Sequence, residues 1–499
     1  MLPKYLQEKG VPSNAEYLFI EEEHLLDTIQ QEFPKHSQLH LCTPDEWQEK
    51  ASGLNLITHL RTQSVTLVRS SAISEGLYPP YIELFQKIQK EYFKLDLYIN
   101  IGTSSLFHFY RIALFNTADN QYSMSLLKNK LKGKTAIILG AAPSLDKHID
   151  WVRNNQDKLY ILTVSRLARK LKEESITPDF IVSVDPQPGS FHTSKEIFEF
   201  EQHSTFIHSY HGNQQLVGQW LGKKYYTGHR YPWRTKSKKD ITPQSGSTVT
   251  NAALDTAILM GCSNILLAGV DFCFRSDGHT HASQSGTKSE EASIIATDDT
   301  YQMVTNNRGE EVETSVGFLQ ASEQFSQAVK NYTSTDQEVI NLSDTAINMK
   351  HVSYQDTATI DLSSAPLKTK VEHSNESATK YYATSSKELK NKKRELNQII
   401  RLCREITVHY EKPCNTTKAK KQLEKLEKRL EKNKDLLDLI KSLSSKEMLR
   451  VLRASRNEQS EWTEEEVTKS NIAYHEIIIQ KARGLRAAIE QGIKRIKTR

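Results

Sequence analysis

The sequence predicts an α/β protein: a central Rossmann-like domain on a parallel sheet, a smaller N-terminal α/β domain and an all-α C-terminal domain. Three observations predict it. Residues 126–355 repeat short aliphatic runs, each stopping on a small or polar residue, with amphipathic segments between several of them. Residues 1–125 mix short apolar runs with stretches of helical spacing. Residues 356–499 pass through a linker into Lys/Glu-rich sequence with leucines at helical intervals.

In the first region TLVRSS (66–71) and LYINIG (97–102) read as strands ending at Ser or Gly, and YIELFQKIQKEYF (81–93) reads as a helix. In the second the strands are KTAIILG (134–140), LYILTVS (159–165), DFIVSVD (179–185), STFIHSY (204–210), NILLAGVD (264–271) and EVINLSD (338–344). Helix-like segments lie at 151–158, 166–175 and 249–261, and the segment 313–332 places Phe318, Ala321, Phe325 and Val329 on one face. Continuous aliphatic strands alternating with helices mean a parallel sheet covered on both sides, with ligands at the C-terminal strand ends. Residues 366–386 read as a linker. Beyond them Leu423, Leu426, Leu430 and Leu437 fit a helical hairpin or bundle, its charges forming a solvated face or a docking surface for a protein.

The bulk numbers narrow the class. A chain of 499 residues exceeds one core. Its hydrophobic content of 37% and mean hydropathy of -0.58 are polar for a globular protein, as the charged third region requires. No apolar run approaches the ~20 residues of a membrane span. The first residues carry no basic stretch followed by an apolar one, so no secretory signal is expected and the protein is expected in the cytoplasm. Cys42, Cys262, Cys273, Cys403 and Cys414 lack CxxC spacing and read as reduced thiols. A net charge of +5 does not call for nucleic acid.

The chemistry is expected at the strand ends. Gly140, Ala141, Ala142, Pro143 and Ser144 end the first aliphatic run. Small residues there let a ligand approach the main chain, and Ser144 suits either a plain helix cap or a phosphate at the helix N-terminus. Ser165 ends the second strand. Asp185 ends the third before Pro186, as a turn former or as a ligand to ribose, metal or acceptor. Ser245, Gly246, Ser247 and Thr248 precede a long helix, as an ordinary cap or as a cradle for phosphate or carboxylate. Asp271 ends the fifth strand, and the loop after it holds Arg275, Asp277, His279 and His281. A histidine there could be a general base. G-x-S-x-G, Walker A, HExxH and complete cysteine-based metal motifs are absent from the sequence.

In this order, GAAPSLD, SITPDFIVSVDPQ, SGSTVTNAALDTAILMGCSNILLAGVDF, DGHTHA and NRGEEVETSVGF resemble the central domain of the motility-associated factor (Maf) flagellin glycosyltransferases, over roughly residues 130–350. That domain is similar in turn to bacterial sialyltransferases using CMP-activated sugars. The resemblance implies a nucleotide held by Gly140–Ser144, Ser165 and Asp185, with the family's Ser-Gly pair matching Ser245-Gly246 or Ser247 and its Gly-x-Asp-Phe strand matching Gly269–Phe272. Two departures stand out. Cys273-Phe274 replaces the tyrosines expected after Asp-Phe, and the family's catalytic histidine falls further downstream than His279 or His281.

The implied reaction moves a nonulosonic acid of pseudaminic or legionaminic type from its CMP donor to Ser/Thr of flagellin. His281, His279 or Asp271 would serve as base, and Arg275 or Arg230 would hold the sugar carboxylate. No cofactor is firmly expected. A divalent metal, if used, would sit among Asp185, Asp271 and Asp277. The same domain also resembles archaeal pterin diphosphokinases, which transfer diphosphate from ATP. A third expectation is a non-catalytic escort of flagellin.

Overall fold

The computed structural model describes residues 2–12, 15–61, 64–233, 246–274, 282–283, 301–363, 365–371, 378–411, 417–456 and 463–499. Their strands are β1 (Tyr17–Ile20), β2 (Leu39–Cys42), β3 (Thr135–Leu139), β4 (Tyr160–Val164), β5 (Phe180–Ser183), β6 (Thr205–Ser209), β7 (Lys224–Thr227), β8 (Asn264–Ala268), β9 (Tyr301–Thr305), β10 (Glu311–Ser315), β11 (Glu338–Asn341) and β12 (Ser353–Tyr354). The chain forms two compact units. One combines residues 1–107 with 394–486, the other residues 108–393 with 487–499.

The second unit is built on one eight-stranded sheet, parallel throughout, in the order β12-β11-β8-β3-β4-β5-β6-β7. From β3 the chain first winds outward through β4 to β7, then returns to place β8, β11 and β12 on the other flank. The winding therefore reverses between β3 and β8. Strand periodicity sorts the side chains into two cores. Ala136 and Ile138 of β3, Leu162, Val182 and Leu267 face helices Val249–Leu259 and Val316–Tyr332. Ile137 and Leu139, Ile161, Ile181 and Leu266 face helices such as Leu145–Asn154 and Gln214–Gln219. These strand residues are essentially inaccessible, each large aliphatic one contributing about 1.5–3 kcal/mol by burial.

All six strands expected in residues 126–355 are present, as β3, β4, β5, β6, β8 and β11. β7, β12 and the antiparallel β9–β10 hairpin are additional. The reading of residues 97–102 as a strand is corrected. They continue helix Pro79–Asn116, which also contains the expected helix 81–93. A short apolar run without a turn signal before it extends a helix as readily as it forms a strand. TLVRSS is corrected too: residues 64–70 carry no regular element, and Ser70 accepts a hydrogen bond from Ile73 N to start the short helix Ser71–Ser74.

The expected linker 366–386 is partly structure. Lys368 pairs with Asp179 at 2.9 Å, Thr369 N donates to the Tyr160 hydroxyl at 2.9 Å, and helix Ala378–Glu411 begins inside it. At the far edge of the sheet Asp119 is buried among three cations. Lys224 Nζ lies 3.0 Å, Arg499 2.7 Å and Arg495 2.6 Å from its carboxylate. Lys224 also donates to the carbonyls of Val217 and Trp220, so the end of helix Gln214–Gln219 shares its charge.

In the first unit β1 and β2 pair in parallel around helix Glu23–Glu32, a small α/β layer. Its C-terminal part is helical, with Leu426 and Leu430 buried on Thr417–Glu431. Leu437 sits on a separate helix, Lys434–Leu443, so the leucine spacing read as one stripe crosses a break. Cys42, Cys262, Cys273 and Cys403 are free and buried, and Cys414 lies outside the described residues.

Candidate functional site

The ends of β3 and β8 meet at the reversal of the winding, and they meet backbone to backbone. Gly140 N donates to the Ala268 carbonyl at 2.8 Å, and Ala142 N to that of Gly269 at 3.0 Å. A Cβ on Gly140 would stand 2.2 Å from the Gly269 oxygen. A Cβ on Gly269, whose φ is +69°, would stand 2.3 Å from the Gly140 oxygen. The small residue at 140, expected to admit a ligand, is thus required by the neighbouring strand end. Ala141 and Ala142 face the cleft beyond it.

Ser144 also departs from expectation. Its side chain makes no cap to its own helix, Leu145–Asn154. Instead its Oγ donates to Asp271 Oδ1 at 2.5 Å and its N–H donates to Oδ2 at 3.1 Å. The Asp271 carboxylate, three residues beyond the end of β8, therefore takes the Ser144 N–H and hydroxyl that the sequence offered to a phosphate. Asp271 is 5% exposed, and burial pushes its carboxyl pKa up, partly offset by the two Ser144 hydrogen bonds.

The helix N-terminus that opens into the cleft is that of Val249–Leu259. Thr248 caps it, accepting from Asn251 N, and Ser247 N donates to Gln324 Oε1 at 2.9 Å. Gly246 lies so close over Asn251 that a Cβ would meet its side chain at 2.3 Å.

Ser165 and Asp185 arrive from β4 and β5. The Ser165 hydroxyl lies 3.0 Å from that of Ser194. Asp185 forms the expected turn: Oδ1 accepts from Gln187 N at 2.9 Å and Oδ2 from the Ser190 hydroxyl at 2.5 Å. Its carboxylate still stands on the cleft wall.

Together these groups line a cleft of about 350 Å³ at the C-terminal ends of β3, β4, β5 and β8. Ala141, Ala142, Ser165, Asp185, Ser247, Thr248 and Asp271 are all in it, with Gly269, Cys273 and Phe318. Pro143 and Ser144 are buried behind it. Ser245, Arg275, Asp277, His279 and His281 lie outside the described residues. Arg230 does not line the cleft: its guanidinium stacks over Tyr226 and Tyr381, 5.4 and 4.8 Å from their ring centres.

The backbone of Phe272 takes a φ of +51°, unusual outside glycine, and is held by Thr314 Oγ1 donating to its carbonyl at 2.6 Å. Burial, then the Asp271 charge, pushes the Cys273 thiol up to about 12, so it is no nucleophile at neutral pH.

Asp185 and Asp271 both have both oxygens engaged, and among the described residues no group of three His, Cys, Asp or Glu is set to hold a metal. Asp277, the third carboxylate of the expected set, lies outside the described residues, and no step below runs through a metal.

Sequence reasoning passed over His211, just beyond β6. Its ring stacks parallel on Phe109 at 4.7 Å, and its Nδ1 lies 3.0 Å from the Ser209 hydroxyl. Burial pushes its pKa down to about 4 against the opposing pull of Asp185. The signal was present: STFIHSYHGN ends a strand on polar residues as the other strands do.

A sequence model of the family described as 6-hydroxymethylpterin diphosphokinase MptE-like matches residues 112–277. A protein of Treponema pallidum (strain Nichols), described as uncharacterized, is 33% identical over 98 residues. That stretch is 20% of this chain and 47% of the relative, so the match spans about half of the relative's length. The solved structure of a MAf glycosyltransferase from Magnetospirillum magneticum AMB-1 aligns with a TM-score of 0.56 at 14% identity. The alignment covers 99% of this chain and 78% of that one, so the two share a fold, as the resemblance implied. No helix among the described residues is long and apolar enough to cross a membrane.

Proposed function

We propose that the chain is a glycosyltransferase, moving a nonulosonic acid from a CMP-activated donor to Ser or Thr of flagellin in the cytoplasm, in support of flagellum assembly and motility. One observation carries the reading: the N-terminus of helix Val249–Leu259, with Ser247 and Thr248, opens into a hydroxyl-lined cleft at the reversal of the sheet. A departing nucleoside monophosphate needs such a place. The fold shared with the MAf glycosyltransferase over nearly the whole chain supports it.

In the proposed reaction the acceptor hydroxyl attacks the anomeric carbon, the bond to the phosphate oxygen breaks, and its electron pair leaves with CMP. The hydroxyl proton goes to a base. Asp271 is the described candidate, because burial raises its proton affinity; His279 and His281 are the others. Ser165 and Asp185 would hold the nucleoside, and Ala141 and Ala142 leave room for it. The domain limits 1–125, 126–355 and 356–499 belong to this reading, with flagellin met outside the central domain.

A second reading, diphosphate transfer from ATP to a pterin, is favoured by the family model over residues 112–277. The test is calorimetric titration with CMP, CDP and ATP, with and without Mg²⁺, followed by mass spectrometry of flagellin incubated with protein and donor. Selective CMP binding and a flagellin mass increase are expected. Selective binding of ATP with Mg²⁺ would replace this reading with the second, and CMP binding without mass increase would favour the escort.

A further inference from the structure

The charges of the C-terminal helical region read from sequence either as a solvated face or as a docking surface, and one groove there distinguishes the two. It has a volume of about 610 Å³ and is lined by helices Ala378–Glu411, Thr417–Glu431 and Glu464–Ile496. All its lining residues belong to the first unit. One wall runs from Asn397 to His409 at the i, i+3, i+4 spacing of a single helical face, a stripe about 18 Å long. Of the apolar residues in the groove, Ile400 and Leu426 are buried, whereas Val408 is 46% exposed.

The charge in the groove is one-sided. Three guanidiniums, those of Arg401, Arg404 and Arg486, face a single carboxylate, Glu405. That carboxylate lies 3.6 Å from Arg401 Nε. Arg486 has a neutral partner, donating from Nη1 to Asn397 Oδ1 at 3.1 Å. Arg404 is exposed and makes no ion pair or hydrogen bond among the described residues. Two positive charges are therefore left without a carboxylate. Helix Thr417–Glu431 alongside carries six Lys and Arg against three Glu, so the border does not cancel them. Arg401 and Arg404 also stand three residues apart on one helix, a spacing at which like charges repel.

We propose that this groove docks an acidic amphipathic helix of a partner protein. Its apolar edge covers Val408, and its carboxylates meet Arg404 and Arg486. A helix laid along a helical groove, anchored at the same i, i+3, i+4 spacing, is a common mode of peptide recognition. Complementary charge fixes its choice of partner. A nucleic acid would meet the same cations but has no apolar edge for Val408. A wholly apolar helix would cover the guanidiniums without pairing them, which is costly. The groove is used independently of the cleft chemistry, so the proposal stands apart from the function assigned to the sheet.

The test is fluorescence anisotropy of the full chain with a labelled synthetic helix of about 15 residues, leucine along one edge and glutamate beside it. Saturable binding is expected, weakened about fivefold or more when the glutamates are replaced by glutamines. Arg404→Glu should weaken it about tenfold or more, and a lysine version of the peptide should bind Arg404→Glu better than it binds the unaltered protein. Val408→Ser should weaken the glutamate peptide about threefold. Lys420→Glu makes the same charge change at an exposed position outside the groove and should leave binding within about twofold. Circular dichroism checks that each variant is folded. Absence of binding, an unchanged affinity in Arg404→Glu, or equal weakening by Arg404→Glu and Lys420→Glu overturns the proposal. A single-stranded oligonucleotide that binds more tightly than the peptide, and loses that binding in Arg404→Glu, would put nucleic acid in the groove instead. Sedimentation showing a dimer that Arg404→Glu converts to monomer would make the occupant a second copy of this chain.

Discussion

Ser144 and Asp271 are joined at two points, hydroxyl to Oδ1 at 2.5 Å and backbone N–H to Oδ2 at 3.1 Å, so the strand end of β8 caps the helix that follows β3. The pair fixes one wall of the cleft and holds a carboxylate that burial makes reluctant to ionise.

Ser144→Ala removes one of the two donors and leaves the backbone one. A loss of about 1–3 kcal/mol is expected, measured as the shift in urea midpoint at constant slope. Ser144→Thr, which keeps the hydroxyl, should lose less.

The pH dependence has a definite sign. The folded carboxyl of Asp271 binds its proton more tightly than the unfolded one, so this group's stabilisation is complete below the ordinary aspartate range and is lost as pH rises through the folded pKa. Asp271→Asn lacks this titration. Stability of the unaltered protein relative to Asp271→Asn should therefore fall as pH is raised from about 3.5 upward, and a flat difference would rule the account out.

His208 acts in the opposite direction. It is fully buried, and burial pushes its pKa down to about 4 despite a hydrogen bond with the Ser209 carbonyl. Its contribution is present above the ordinary histidine value, about 6.5, and disappears as pH falls toward 4. His211 has the same direction. NMR of the histidine rings should find both neutral at pH 6.

Gly140→Ala places a methyl 2.2 Å from a carbonyl oxygen that belongs to the neighbouring strand end and has no flexible side chain to yield. A loss of about 3 kcal/mol or more is expected, at the upper end for overpacked sites. Gly309→Ala, where a Cβ meets nothing within 4 Å and only the φ of +84° is strained, is the milder comparison. Thermal unfolding of the two variants should rank them in that order.

Asp119→Asn leaves Lys224, Arg495 and Arg499 around a neutral side chain. Breaking a buried charge cluster at its only described carboxylate is expected to cost about 3–5 kcal/mol, read from chemical denaturation. Added chloride should recover part of the loss by screening the three cations.

The sheet was legible because its inner strands are apolar on both faces and end on small or polar residues. KYYT of β7, polar and aromatic at the sheet edge, gives no such run. LYINIG imitates a strand inside a helix because six apolar-rich residues fit either period. At the site, the residue types on strands β3, β4, β5 and β8 could be read, but their partners could not. Gly140 answers to Gly269, and Ser144 to Asp271, across a contact that exists only once β8 lies beside β3. A local reading therefore made a ligand cradle of Gly140 and a cap of Ser144. It also could not show that residues 1–107 cluster with 394–486, a pairing made by contacts distant in sequence.

The reversal of the winding has a consequence for biosynthesis. As the chain leaves the ribosome, β3 to β7 emerge in the order in which they pair, and each can be added to the last. The other edge of β3 stays open until β8 arrives, and at about 5–20 residues per second that is an interval of several seconds or more. An aliphatic edge left unpaired for that time is a template for the wrong neighbour. Two of the three cations around Asp119, Arg495 and Arg499, come later still in this sequence, whereas Lys224 on β7 is already present. The nascent sheet can thus begin folding early, but its central seam and its far edge close only after translation has moved well past them.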